Sequence, residues 1–312
     1  MQGISVIVPT IGRPESLEAL LESLSAQTRR PDQVLVADAS DNDRVAGLLA
    51  DDRWRARGLA ITHLKVTPPN AVGQRNAAIA RATGEALLLL DDDVVLEPGC
   101  IEQLERALDR TPELAAAIAD MNNETWPDAT TAWRWYLTTF LGLRDGEWHG
   151  RVVGPLLRFG YPPHPSAMLP MEWFGTANTL VRRAAFDAAG GFSTFFLHRS
   201  TMNEDVDLSI KVSRQGGFMI CPQARLAHHH HPSGRVSAFA AAEDDLYNRY
   251  LILRRTLGRS GASAFGNVAI FFLIESLSNL IGAMGRLKFE GLLSRVGGRA
   301  SALLRICVGQ AA

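Results

Sequence analysis

Short apolar runs alternate with helical patterns along the first hundred residues. Residues 4–8, Ile-Ser-Val-Ile-Val, are rich in β-branched side chains and predict a buried strand. Pro9-Thr10-Ile11-Gly12-Arg13-Pro14 then breaks the pattern as a loop. Leucines at 17, 20, 21 and 24 recur at helical spacing, which predicts a helix over 15–27. Residues 34–37 predict a second strand ending in Asp38, 44–50 a helix and 60–66 a third strand. Residues 70–83 carry Ala77, Ala78, Ile79 and Ala82, a small-residue helix closed by Gly84. The unbroken apolar run 86–90 is a fourth strand, and 101–108 a helix with Pro98 at its opening. This alternation implies an α/β fold with a mostly parallel central sheet and helices on both faces. Ligands in such sheets bind beyond the carboxyl ends of the strands, so Asp38 and Asp91 to Asp93 are expected to converge on one crevice.

Periodicity weakens between 125 and 170, a stretch rich in Trp, Gly and Pro with a short helix near 131–141. Its aromatics, Trp126, Trp133, Trp135, Tyr136 and Trp148, suit stacking on a sugar and plain packing equally well. Residues 218–221 read as a further strand. Between 265 and 287 the apolar positions are 270, 273, 274, 277, 280, 281, 284 and 287, with Glu275, Ser278, Asn279 and Arg286 opposite. That predicts an amphipathic helix rather than a membrane span, because Glu275 interrupts its middle.

The 312 residues, 46% of them hydrophobic, are enough for a large core in one domain with an appendage, or in two domains. A net charge of −1 supplies no general basic field for nucleic acid. From Arg254 onward, however, eight Lys/Arg face two acids, so the last fifth is basic and the remainder acidic. Flanking arginines of this kind favour peripheral contact with an anionic lipid surface. Packing on the rest of the chain or on a dimer partner is the alternative. Three scattered cysteines make neither a disulfide framework nor a zinc site. The first residues run straight into a strand without a basic and apolar leader, so a cytoplasmic location is expected, with contact at the inner face of the plasma membrane.

The strand at 86–90 ends in Asp91-Asp92-Asp93. Three adjacent carboxylates are costly unless a cation lies among them. A hard divalent ion bridging to phosphates is the usual remedy, since Mg2+ and Mn2+ prefer carboxylate oxygen. A solvated acidic turn is the plainer reading. A second acidic pair, Glu204-Asp205, precedes the periodic Val206, Ile210 and Val212, which puts both carboxylates in a helix's first turn, where negative charge is favoured.

Five blocks occur in an order that resembles the family-2 glycosyltransferases of GT-A fold: Ser5 to Thr10, Val34 to Asp38, Gln74-Arg75-Asn76, Leu90 to Val94, and Trp173 to Asp207. The resemblance spans roughly residues 3 to 245. It implies a catalytic domain over 1–245, with a nucleotide-binding half at 1–95 and an acceptor half at 96–245, followed by a helical region at 246–312. It also implies a nucleotide-sugar donor, a glycan or lipid-linked acceptor, and Mn2+ or Mg2+. Pro9, Thr10 and Ile11 are expected to floor the nucleoside, Ile11 replacing an aromatic often found there. Asp38 is expected to accept hydrogen bonds from the base, a helix-capping role being its rival. Arg75 is expected beside the base and diphosphate, with Arg13 and Asn76 in the same site. Asp93 is the expected direct metal ligand, with Asp91 or Asp92 facing the ribose or a metal-bound water; which of the three touches metal stays open. His228, first of a four-histidine run, completes the metal site, with His230 in reserve. Asp205 is the expected general base, Glu204 beside it. Trp173, Phe174, Gly175 and Asn178 are expected to line the sugar and acceptor pocket, packing being an equal reading for Trp173 and Phe174. Gly190-Gly191-Phe192 reads as a tight turn, and Ser233-Gly234-Arg235 as a lid. No Gln-x-x-Arg-Trp block occurs, which favours single-residue, non-processive transfer.

Two other classes fit the sequence less well. A sugar-1-phosphate nucleotidyltransferase needs a Gly-rich basic loop after the first strand, and the 9–14 loop is too short and poor in glycine for it. A non-catalytic sugar- or membrane-binding module on a degenerate fold would not be expected to carry Asp38, Asp93, Asp205 and His228 together.

Overall fold

A computed structural model describes residues 3–160, 165–197, 200–231, 236–286 and 291–309. Strand β1 (Ile4–Thr10) is buried throughout. Helix α1 (Pro14–Ser25) follows and turns Leu17, Leu20, Leu21 and Leu24 inward, as their spacing requires. Next come β2 (Gln33–Asp38), α2 (Arg44–Leu49), α3 (Arg53–Ala56), β3 (Ile61–Lys65), α4 (Ala71–Ile79) and β4 (Ala86–Leu90). Asn70 caps α4, its Oδ1 accepting the Gly73 N–H at 2.9 Å. Strands β1, β2, β3 and β4 pair in parallel. Their carboxyl ends therefore share one edge.

Beyond β4 the chain runs through β5 (Val94–Leu96), α5 (Cys100–Arg110), β6 (Leu114–Met121), α6 (Thr131–Phe140), the hairpin β7 (Val152–Val153) and β8 (Leu157–Arg158), β9 (Leu169–Met171), β10 (Asn178–Arg182), α7 (Arg183–Ala188), α8 (Glu204–Val212) and β11 (Gly217–His228). Among the described residues the main sheet has nine strands in the order β3-β2-β1-β4-β10-β6-β11-β5, with β9 also on β11. Helices cover both faces. The parallel character expected from the sequence holds from β3 to β4, and the rest is mixed. Strand β10 lies antiparallel between β4 and β6, and β11 is parallel to β6 but antiparallel to β5 and β9. The predicted strand at 218–221 is the first part of β11, which shifts register between Cys221 and Arg225 and continues to His228.

The chain divides into two compact units, Met1–Thr125 with Pro162–His231, and Trp126–Tyr161 with Pro232–Ala312. The boundary drawn from sequence at residue 245 falls inside a helix, α9 (Ala238–Leu251). The second unit is built from α6, the β7–β8 hairpin, α9, α10 (Gly261–Arg286) and α11 (Leu292–Cys307). Its aromatics mostly pack within it: Trp133 lies 5.7 Å from Phe271 and Trp148 is fully buried, while Trp135 is exposed. Buried Arg249 stacks over Phe271 at 4.2 Å. Gly298 permits the tight approach of α11 to α9, since a Cβ there would meet the Phe239 carbonyl oxygen at 2.2 Å.

Candidate active site

The acidic run follows β4 at the carboxyl edge of the parallel strands, and β5 begins directly after it. Strand β11 pairs with β5 so that His228 stands opposite Val94. That pairing carries the histidine to the carboxylates: His228 Nε2 lies 3.1 Å from Asp93 Oδ1. The backbone closes the junction, with the His229 N–H donating to the Asp93 carbonyl at 2.9 Å and the His231 N–H to Asp93 Oδ2 at 2.8 Å. One ligand atom each from Asp91, Asp93 and His228 lies within 4.8 Å of the others. Two carboxylates and an imidazole, converging at a sheet edge, form a donor set suited to a divalent ion such as manganese.

The electrostatics of the cluster are strongly coupled. Burial alone would raise Asp93, but hydrogen bonds from His228 and the His231 N–H hold it well below the usual carboxylate range. Burial alone would lower His228, yet the Asp93 and Glu124 carboxylates beside its two ring nitrogens raise it to about 10. Asp92 is pushed up to about 6, chiefly by burial, although Thr10 and Arg13 pull it down. Thr10 Oγ1 donates to Asp92 Oδ2 at 2.6 Å and Arg13 Nη1 reaches Asp92 Oδ1 at 3.1 Å. Asp92 is thus engaged by β1 and the loop after it, which leaves Asp91 and Asp93 facing His228.

Glu124, a residue the sequence did not single out, lies behind the histidine. Its Oε1 is 3.0 Å from His228 Nδ1 and 2.7 Å from His230 Nε2. A carboxylate on the far nitrogen fixes both the ring orientation and the tautomer of a metal-binding histidine. Glu124 follows β6, which runs parallel to β11 and pairs Met121 with Leu226. His230 adopts a left-handed φ of 46° that keeps its ring 3.9 Å from that of His228.

A second cluster adjoins the first. Helix α8 begins at Glu204, so Glu204 and Asp205 occupy its first turn as expected. Arg75, on α4 and 3% exposed at its side chain, bridges Asp91 Oδ1 at 2.6 Å and Glu204 Oε1 at 3.3 Å. Thr176 Oγ1 donates to the same Glu204 oxygen at 3.3 Å. Burial first and Asp205 second raise the Glu204 carboxyl to about 7, against the pull of Arg75. Asp205 Oδ1 accepts the Val206 N–H at 2.8 Å. Behind α8, Ser193 and Lys211 hold buried Asp207 at 2.6 and 3.2 Å, and Gly190 and Gly191 make the predicted tight turn with φ of 75° and 61°.

The description "Glycosyl transferase family 2" matches residues 5–159, the segment carrying the first four sequence blocks. The chain belongs to glycosyl transferase family 2. It is 30% identical over 266 residues to the O-antigen biosynthesis protein RfbC of Myxococcus xanthus, covering 83% of this chain but only a fifth of that protein's length. It is 28% identical over 260 residues to the N-acetylglucosaminyl-diphospho-decaprenol L-rhamnosyltransferase of Mycobacterium tuberculosis, covering 75% of this chain and 79% of the relative. Among solved structures, the mannosyltransferase PcManGT of Pyrobaculum calidifontis, in complex with GDP-Man and Mn2+, superposes with a TM-score of 0.56 at 15% identity, over 98% of this chain and 86% of the other. At that identity the likeness is one of fold, and the fold is GT-A.

Other positions implied by membership of family 2 land differently. Asp38 is fully buried at the end of β2, and its carboxylate is already taken: Oδ1 accepts the Ser40 N–H at 2.7 Å, and His63 and Lys65 lie 3.1 and 3.4 Å from Oδ2. These hydrogen bonds outweigh burial and keep its pKa low. These three neighbours order the carboxylate at the strand end. Arg75 likewise faces Asp91 and Glu204 rather than open space. Pro9 and Thr10 are the last residues of β1 instead of a loop, and Ile11 beyond them is exposed. Gln74 ties this end together, its Nε2 donating to the Thr10 and Ala37 carbonyls at 2.8 and 2.7 Å. Asn76 is half-buried on α4.

The expected sugar and acceptor pocket is largely core. Trp173 is buried, and Phe174 is fully buried edge-to-face against Phe218 at 4.9 Å. Asn178 Nδ2 donates to the Ala119 carbonyl at 2.7 Å, and the Gly175 carbonyl accepts from Thr179 Oγ1 at 2.7 Å. Asn178 thus ties β10 to β6, and the Phe174 N–H donates to Ser209 Oγ of α8 at 3.0 Å. The lid expected at 233–235 lies outside the described residues.

Proposed function

We propose that this chain is an inverting, metal-dependent glycosyltransferase that moves one sugar from a nucleoside diphosphate sugar to an acceptor hydroxyl in cell-surface glycan synthesis. The observation that carries the reading is the junction of two clusters: Asp91, Asp93 and His228 with converging ligand atoms, joined through Arg75 to the first turn of α8. The names of the two curated relatives support a glycan or lipid-linked acceptor.

Asp91, Asp93 and His228 would hold a divalent ion, Mn2+ or Mg2+, whose charge offsets that of the departing diphosphate. Asp205 takes the proton from the acceptor hydroxyl as its oxygen attacks the anomeric carbon, and the nucleoside diphosphate leaves with the electrons of the broken C–O bond. Glu204, tied to Arg75 and Thr176, positions that turn of the helix. Isothermal titration of UDP, GDP and dTDP with and without Mn2+ tests the reading. One nucleotide is expected to bind in a metal-dependent way, and Asp93→Ala is expected to abolish the dependence. No binding of any of the three with metal present would defeat the proposal.

Two further outcomes follow from His228. In this arrangement the ring keeps its proton up to about pH 10, so an ion taking Nε2 must displace it. Mn2+ affinity is therefore expected to rise about tenfold per pH unit through the neutral range, with proton release visible as a buffer-dependent binding enthalpy. Glu124→Ala is expected to weaken Mn2+ binding about 10–100-fold by freeing the imidazole. An unchanged affinity would remove Glu124 from the site.

A further inference from the structure

Helix α10 turns its polar side inward. Glu275 Oε2 accepts from Trp133 Nε1 at 2.7 Å, and its Oε1 lies 3.4 Å from Arg299 Nη2. Ser278 Oγ pairs with Thr130 Oγ1 at 2.7 Å, and Asn279 Oδ1 accepts from Arg295 Nη1 at 3.4 Å. Ala264, Val268, Phe271 and Ala283 are buried on the same side. The opposite side carries Ile270, Leu273, Leu277, Leu280, Ile281 and Met284, all exposed, Leu273 at 64%. With 3.6 residues per turn these six fall within an arc of about 100°. A helix bordering water shows the reverse arrangement, and an apolar face of this extent marks an interaction surface.

The surrounding charge indicates what covers it. Among the described residues from 252 to 309, Arg299 is buried against inward-facing Glu275 and Arg305 pairs with Glu243 of α9, while Arg254, Arg255, Arg259 and Arg295 are exposed. Arg254 and Arg255, in the π-helical segment Ile252–Thr256 that ends α9, and Arg259 in the connection to α10 are exposed, with exposed Leu257 among them. A second copy of the chain would bring the same cations to the contact, whereas an anionic bilayer brings the complementary charge. The helix is also long and apolar enough to cross a bilayer by length and composition. The inward hydrogen bonds of Glu275, Ser278 and Asn279 tie it instead to its own unit, the posture of a helix lying in the interface plane.

We propose that α10 seats the protein on an anionic lipid surface, with Leu273, Leu277 and Leu280 among the acyl chains and Arg254, Arg255 and Arg259 at the headgroups. Flotation of the full chain with phosphatidylcholine vesicles, with and without phosphatidylglycerol, tests this. The wild type is expected to float with the anionic vesicles. Replacing Arg254, Arg255 and Arg259 by Ser is expected to weaken binding about a hundredfold, and Leu273→Glu with Leu277→Glu and Leu280→Glu to abolish it without changing the circular dichroism spectrum. The milder Leu277→Ser decides the matter if the triple glutamate variant misfolds, and is expected to reduce the floated fraction. Wild type that stays at the bottom with both vesicles overturns the proposal, as does a folded glutamate variant that floats unchanged. Sedimentation velocity without lipid supplies the other overturning result, a wild-type dimer that the leucine substitutions turn into a monomer.

Discussion

Asp205→Asn is expected to lower kcat by about 10²–10⁴-fold, the range for losing a positioned general base, while the affinity for the donor nucleotide holds. The substitution is isosteric and keeps an oxygen for the Val206 N–H that Asp205 Oδ1 accepts at 2.8 Å. Removing the negative charge from a helix N-terminus costs the fold about 0.3–1 kcal/mol. Its neighbour gives the contrast. Burial and Asp205 raise the Glu204 carboxyl to about 7, and by pKa alone it would be chosen as the base. Its Oε1, however, is shared between Arg75 and Thr176. A carboxylate held by a guanidinium is a poor proton acceptor for an incoming hydroxyl, so Glu204→Gln is expected to change kcat less than Asp205→Asn. Initial rates of nucleoside diphosphate release from both variants, with donor affinity measured alongside, settle the roles. A large loss in Glu204→Gln with Asp205→Asn near wild type would reassign the proton to Glu204.

Much of the acidic cluster was legible in the sequence because it sits at junctions with strong local signals. The run 86–90 could only be a buried strand, so the carboxylates after it had to lie at a sheet edge, and β4 has those bounds. Glu204 and Asp205 before an apolar periodic stretch could only open a helix, and α8 starts there. Strand β6 was not legible. Its sequence, Leu-Ala-Ala-Ala-Ile-Ala-Asp-Met, is alanine-rich and almost free of β-branched residues, so local propensity argues against a strand, and burial between β10 and β11 overrides it. Missing β6 meant missing Glu124, which is placed only by what precedes it.

Pairing between strands is equally invisible in a sequence. Nothing near Asp38 announces that His63 and Lys65, a strand away, occupy its carboxylate; the contact arises from the parallel register of β2 and β3, which sets Asp38 beside Lys65. Periodicity likewise reveals that α10 has two faces but not which one turns inward, because that depends on Trp133, Thr130, Arg295 and Arg299 lying far away in the chain.

Arg75→Met is expected to destabilise the protein by about 3–5 kcal/mol at pH 8, the usual cost of removing one partner of a buried ion pair. The methionine fills the volume but leaves Asp91 and Glu204 facing one another without a cation. The cost depends on pH, and its sign follows from Glu204. Burial and Asp205 already raise that carboxyl from 4.5 to about 7, so the folded state holds its proton more tightly than the unfolded chain does. Stability from this group is fully present below 4.5 and is lost as pH rises through about 7. Removing Arg75 takes away a force that lowers the Glu204 pKa, which moves the upper end of that window still higher. Near pH 5 Glu204 is protonated in both proteins and needs no cation, so the two unfolding curves are expected to approach one another there and separate at pH 8. Urea denaturation at the two pH values measures the difference. An equal penalty at both would mean that Asp91 is the partner whose loss of Arg75 matters, and Arg75→Lys would then recover most of it by restoring the charge alone.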